Sequence, residues 1–374
     1  MFPAAAHARS ASTPLLGLAI ALTLAAGCTE PNPSFVEPEK CAAGEYLYQQ
    51  SFAATHPDRL DVLFVVDDTR EAGAARYALR ESAAEIIGAL GDMDYRVGVT
   101  TTDGSGQLHN PSAACPSEGY ASPDQPSPVE SLTCLLNVAE GPLTPPAGIQ
   151  SILNAVRSDV NANFIRPDAR LLVIVVSVYD DCSSNGLIRG PNLDNCEWQQ
   201  GALTPIVGEG GLARPLISVK QDGNATALAV IVGPNDGQVF PVNTEPEPSC
   251  SGVNGTALHG TRYRELADTM GVWGFAESIC SGELAAPVVA AIQQLGYSSE
   301  ARYCLGKAAP NGVREVELIQ GDAKTGTMLT SNSDAGYAFI GTSRECGNGL
   351  VALSEEARVS VRGNSHVQIL FCGP

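Results

Sequence analysis

Basic residues are scarce in this chain: 22 Lys and Arg stand against 41 Asp and Glu, for a formal net charge of −19 over 374 residues. Such a surface repels a phosphate backbone, so no nucleic acid is expected as a partner, and a bare anionic lipid face is disfavoured for the same reason. The short motifs of common site chemistry are missing as well. No CxxC, CxxH or HExxH spacing occurs, which leaves zinc and thioredoxin-like redox chemistry without support. There is no Gly-x-Ser-x-Gly elbow and no phosphate-cradling glycine loop. His56, His109, His259 and His366 fall in loops or near strand ends with no attendant motif. The expectation is a protein that is not an enzyme.

Long hydrophobic runs are lacking too. The apolar stretch at residues 15–26 is about a dozen residues, too short for a permanent membrane span, and it follows a weakly basic head with His7 and Arg9. Small residues precede Cys28 (LAAGC), which resembles a bacterial lipoprotein signal. The resemblance implies removal of residues 1–27 and acylation of Cys28, the new N-terminus. An ordinary cleaved signal is the alternative. Thr29 in place of Asp implies the outer membrane under the sorting rule of such lipoproteins. Attachment would then run through the N-terminal lipid only, and several acyl chains make it durable. Residues 28–58 are Pro- and Glu-rich at their start (TEPNPSFVEPEK) and read as a tether.

Eleven cysteines are present, and setting Cys28 aside leaves ten, an even number in an exported chain. Disulfides are the expectation. Short loops suggest Cys115 with Cys134, Cys182 with Cys196, and Cys250 with Cys280. Cys41, Cys304, Cys346 and Cys372 stay open.

The chain is organised around residues 61–71 (DVLFVVDDTRE), where a solid apolar run ends abruptly in acids and a hydroxyl. The run is short and β-branched, so it reads as a strand buried on both faces, with Asp67, Asp68 and Thr69 at its carboxyl end. Residues 70–90 have helical spacing, with Leu79, Ala83, Ile86, Ile87 and Leu90 on one stripe. A second strand (YRVGVT) ends in Thr100 to Thr102 and Asp103. RLLVIVVS at residues 170–177 is the most hydrophobic strand, and ATALAVIV at 225–232 is another. A last strand at 272–278 precedes an amphipathic helix (ELAAPVVAAIQQL) at 283–295. Strand and helix alternate at the spacing of βαβ units, which predicts an α/β fold with a doubly wound, mostly parallel sheet over residues 59–298. Residues 299–374 carry short alternating runs between Gly, Asn and Ser turns and three cysteines, and read as a small disulfide-stapled β-rich appendage.

The form DVLFVVD followed by a hydroxyl residue resembles the metal-ion-dependent adhesion site of von Willebrand factor type A domains. The segments FIRPDARLLVIVVS and AVIVGP, and SIC at residues 278–280, resemble lipoproteins with such domains from delta-proteobacteria, myxobacteria among them. In that family an aspartate, two hydroxyl residues, a threonine and a further aspartate hold a divalent cation. The resemblance places Asp67, Thr69 and Thr102 as metal residues, with Mg²⁺ or another divalent cation as cofactor. Glu71 stands where the second serine belongs, and Val178 where the last acid belongs; Asp180 comes two residues late, about 7 Å along an extended strand. The site is a degenerate one. The resemblance implies a lipid-anchored cell-envelope adhesion module recognising a protein or envelope polymer. The alternatives are a metal-free structural component of an envelope assembly and an exported hydrolase with an unrecognised acidic site.

Overall fold

A computed structural model describes residues 41–110, 115, 119–142, 144–157, 159–161, 163–188, 196, 199–235, 247–321, 323–343 and 346–374. The expected signal sequence, Cys28 and the expected tether up to residue 40 lie outside the described residues. Residues 46–53, read above as the far part of the tether, are instead a strand, β1 (Tyr46–Ala53). Its Tyr48 and Phe52 pack on a core made by the end of the chain, a partner 300 residues away in sequence that local composition does not reveal.

The central sheet starts with β2 (Arg59–Val66), which is followed by helices α1 (Gly73–Glu81) and α2 (Ala83–Leu90). The expected single helix is broken at Ser82, whose hydroxyl donates to the Ala78 carbonyl at 2.8 Å, a local bond that bends helices. Then come β3 (Asp94–Thr101), β4 (Tyr120–Ala121), α3 (Pro128–Leu135), α4 (Gly148–Ala155), β5 (Arg170–Val176), α5 (Ala213–Ile217) and β6 (Thr226–Val232). The hairpin β7 (Cys250–Gly252) and β8 (Gly255–Ala257) precedes α6 (Thr261–Thr269), β9 (Gly274–Ser278) and α7 (Ala285–Leu295). The sheet order is β4-β3-β2-β5-β6-β9, parallel except for the short edge strand β4. Numbered from β2 as the first strand, this is the doubly wound 3-2-1-4-5-6 order.

Period-2 burial explains the two layers. Leu60, Val62, Phe64 and Val66 of β2 face α1, α2, α3 and α7, while Leu63 and Val65 face α4, α5 and α6. Every residue of β5 from Leu171 to Val176 is at most 1% exposed, which accounts for a strand with no polar alternation. Arg170, buried at its start, donates to the carbonyls of Asn224 and Leu295 and lies over the Trp273 ring, 4.8 Å from its centroid.

The remaining strands are β10 (Glu300–Cys304), β11 (Val313–Ile319), β12 (Thr327–Met328), β13 (Tyr337–Gly341), β14 (Leu350–Ser354) and β15 (His366–Gly373), with the single-turn helix α8 (Glu355–Arg358) before β15. They form an antiparallel four-stranded sheet, β1-β15-β11-β12, and a three-stranded one, β10-β14-β13, around a shared core. This part is not a loose attachment, for residues 41–374 make one compact unit. Asp222, after α5, accepts from Thr55 Oγ1 at 2.7 Å and from the Arg302 N–H at 2.8 Å. Five disulfides join Cys41–Cys372, Cys115–Cys134, Cys182–Cys196, Cys250–Cys280 and Cys304–Cys346. The middle three named from loop length are among them; the open four pair first strand to last and β10 to the loop before β14. Among the described residues no helix is long and apolar enough to cross a membrane.

Candidate functional site at the sheet switch point

In an open α/β sheet, ligands gather outside the carboxyl ends of the strands where the winding direction reverses. Here that point lies between β2 and β5. Asp67 ends β2 and Ser177 ends β5, so the two meet directly. The Asp67 carboxylate is 1% exposed: Oδ1 accepts from the Thr69 N–H at 2.8 Å, and Oδ2 from Ser177 Oγ at 2.8 Å, the Val178 N–H at 3.0 Å and the Tyr179 N–H at 3.4 Å. Arg76, one turn into α1, donates to the backbone carbonyls of Asp67 and Thr69.

The resemblance-derived residues are brought together only in part. Thr102, beyond β3, donates from Oγ1 to Asp68 Oδ1 at 3.1 Å rather than turning towards Asp67. Burial, with Asp67 and Asp103 nearby, pushes the Asp68 carboxyl up, against the pull of the Thr102 bond. Gly141 is required here, because any Cβ would overlap the Asp68 carboxylate. Thr69 Oγ1 is buried with no hydrogen-bond partner. Glu71 is exposed, and Val178 packs its side chain into the core below.

These residues do not fit a divalent cation. A hard cation collects about six or more oxygen ligands with free lone pairs. Of the four N–H and O–H bonds that Asp67 accepts, three fall on Oδ2 and one on Oδ1. One open side of Oδ1 and one unpartnered threonine hydroxyl do not complete a shell.

Asp180 and Asp181, adjacent in sequence, take different partners. Asp181 is fully buried: Oδ1 accepts from the Ile149 N–H at 2.9 Å and Ser183 Oγ at 2.7 Å, and Oδ2 from the Arg262 guanidinium at 3.1 Å. With Ser183 Oγ accepting from the Gln150 N–H at 2.8 Å, the loop after β5 caps the N-terminus of α4 from outside. Asp180 is half-buried and accepts from the Arg262 N–H at α6, at 3.0 and 3.1 Å. Burial, with Asp181 alongside, raises its carboxyl to about 7. Its folded value lies above the unfolded one, so its contribution is fully present below about pH 4 and is lost as pH rises towards 7. Asp180→Asn is therefore expected to match the parent at pH 3 and to exceed it by about 1–2 kcal/mol at pH 8, a figure discounted for partial exposure. Urea unfolding at the two pH values checks this; equal stability at pH 8 would show that the carboxylate is not penalised.

Asp181, Ser183 and Arg262 escape sequence reasoning. They come from two distant loops, and only the acid pair DD at residues 180–181 gave any signal. Cys115 lines a cavity at the opposite end of the sheet. That cavity, about 1090 Å³, holds Arg59, Arg166, Asp94 and Asp168, and their charges pair with one another. At the carboxyl end, a cleft of about 360 Å³ opens between Asp103, Gly104, Thr144, Ala147, Gln150 and the stapled loop from Cys182 to Ile188. On the loop that lines it Leu187 is 70% exposed, and on a separate loop Val253, at the tip of the β7–β8 hairpin, is 76% exposed. Cys182–Cys196 and Cys250–Cys280 hold the two loops that carry these tips.

No family model and no curated protein matches this chain. Among solved structures, the pilus adhesin SpaC from Lactobacillus rhamnosus GG is similar in two forms, one of them its open conformation. The identities are 13% and 12%, each with a TM-score of 0.34, over 88% of this chain and 41% of the adhesin. The chain thus spans about two fifths of that protein's length. A likeness at this level supports no transfer of fold or activity.

Proposed function

We propose that this chain is a binding module of the cell envelope, of the von Willebrand factor type A-like class, carried on an N-terminal lipid at Cys28 at the outer membrane. The loops at the carboxyl end of the switch point recognise a protein or an envelope polymer, and they do so without a cation. The observation behind this reading is the pair of exposed apolar tips, Leu187 and Val253, each on a disulfide-stapled loop, with the Leu187 loop lining a cleft of mixed polar and apolar surface. Rigid scaffolds present recognition on such loops, and an apolar tip beside hydrogen-bonding walls suits peptide or polysaccharide surfaces.

The test is surface binding of the mature chain to purified peptidoglycan sacculi, lipopolysaccharide and an array of extended peptides. Expected is saturable binding to one of them, unaffected by EDTA and weakened at least tenfold by Leu187→Asp with Val253→Asp. Undiminished binding by the double variant would remove the loops from the site. Calorimetric titration with Mg²⁺, Mn²⁺ and Ca²⁺ addresses the cation separately. One-to-one binding abolished by Asp67→Ala would restore the family's cation mechanism in place of the one proposed.

A further inference from the structure

Sheet edges in natural proteins are blunted, because a row of unpaired N–H and C=O groups invites another strand. Most edges here follow that rule. β4 and β12 are two residues long, β9 carries Glu277, β10 carries Glu300 and Arg302, and the β13 ladder is interrupted by a register shift between Phe339 and Gly341. β1 is different. It is eight residues long (YLYQQSFA), with no charge, no proline and no break in its register with β15. An uncharged strand of this length stands out in a chain of net charge −19.

The polarity of the edge follows from its pairing. Ala54 N–H donates to the Ser365 carbonyl at 3.0 Å, continuing the register in which Ala53 faces His366. In an antiparallel ladder, hydrogen-bonded and non-bonded pairs alternate. The even residues 46 to 54 therefore bond inward to β15, and the odd residues turn their backbone groups outward. The Ala53 N–H confirms this direction, since it is taken by the side chain of Gln221. Leu47, Gln49 and Ser51 are left with outward N–H and C=O groups that meet no partner among the described residues. Their side chains are exposed, whereas Gln50 accepts from the Gly306 N–H and Tyr48 stacks on Phe371, tying the even face to the body.

We propose that β1 is a homotypic docking edge on which a second copy of this chain adds its own β1, antiparallel, about a two-fold axis at Gln49. The strand is self-complementary about that point. Gln49 faces its equivalent, and Leu47 faces Ser51 on both sides, each pair exchanging two backbone hydrogen bonds. The two four-stranded sheets become continuous across the axis. No like charges meet along the seam, which is the charge match a self-pairing strand of an acidic protein requires. The segment just before β1 is a poor rival occupant, because Pro31, Pro33 and Pro38 lack the N–H that a strand must donate. An edge contact alone buries less than a standard interface, so the dimer is a weak one that concentration on a membrane surface would favour.

Sedimentation of the mature chain with Cys28→Ser, from 1 to 200 µM, reads the proposal. A monomer–dimer equilibrium is expected, shifted at least tenfold towards monomer by Gln49→Lys, which places two ammonium groups face to face. Gln49→Cys is expected to give an intermolecular disulfide, because such opposed residues lie about 5.5 Å apart between Cα atoms, whereas Leu47→Cys gives none. A wild-type chain that stays monomeric at 200 µM overturns the proposal, as does a dimer that Gln49→Lys leaves unchanged. A monomer that instead binds an extended peptide at β1 also overturns it in favour of a foreign strand.

Discussion

Asp67→Ala is expected to destabilise the protein by about 2–4 kcal/mol, a large part of the 5–15 kcal/mol that holds a typical native state. The reason is the set of donors that one carboxylate serves. Removing it leaves the Thr69 and Val178 N–H groups without an acceptor at the buried junction of β2 and β5, whereas the Ser177 hydroxyl keeps the Tyr179 carbonyl and the Tyr179 N–H keeps Ser177 Oγ. A buried donor left unsatisfied costs about 1–3 kcal/mol, and water entering from the half-buried Tyr179 side offsets part of the sum. Asp67→Asn keeps the shape but turns an NH₂ towards N–H donors, so an intermediate loss is expected. Urea unfolding of the oxidised chain measures both. A loss below about 1 kcal/mol for the alanine variant would mean that the carboxylate is not the keystone described here. The same experiment run with millimolar Mg²⁺ should leave the parent midpoint in place, because a native-state ligand would raise it by mass action.

The second large effect is expected from Cys41→Ser with Cys372→Ser. The bridge closes a span of 331 residues, and chain entropy alone would assign it a stabilisation of about 5–6 kcal/mol. Four further disulfides already shorten the unfolded chain, so a loss of about 4 kcal/mol is expected. The loss should be local in its consequences: hydrogen exchange at β1 should accelerate far more than at β5, since β1 is an edge strand whose one ladder partner is β15. Uniform acceleration at β1 and β5 would show instead that the bridge guards the whole unit.

How far the sequence foretells this molecule depends on the range of the forces involved. The continuous apolar runs of β2, β5 and β6 announce strands buried on both faces, because nothing but a double-layered sheet needs residues such as Val62 to Val66 in a row. Cysteines 14 to 30 residues apart in sequence pair as short loops suggest. Apart from the local break at Ser82, the failures are long-range. β1 reads as tether because its alternation is weak, and the face it covers belongs to Phe371 and Tyr303. The break at Ser82 turns on one hydroxyl bond. At the site, the family pattern names acids and hydroxyls by position, yet what fills the Asp67 carboxylate is mostly backbone N–H, which no side-chain pattern records. Arg262 carries no motif and matters because the loop after β5 delivers both Asp180 and Asp181 to it at the start of α6.

The Cys41–Cys372 bridge also decides how this protein would bear a load. If the chain is held at its N-terminus and pulled by whatever its loops grip, tension arrives at Cys41. Without the bridge, β1 would peel from β15 one hydrogen-bonded pair at a time, like a zip. With it, tension crosses at once to Cys372, at the end of a strand flanked on both sides by β1 and β11. The ladders must then fail together in shear, and the anchor end becomes the strongest part of the mechanical path.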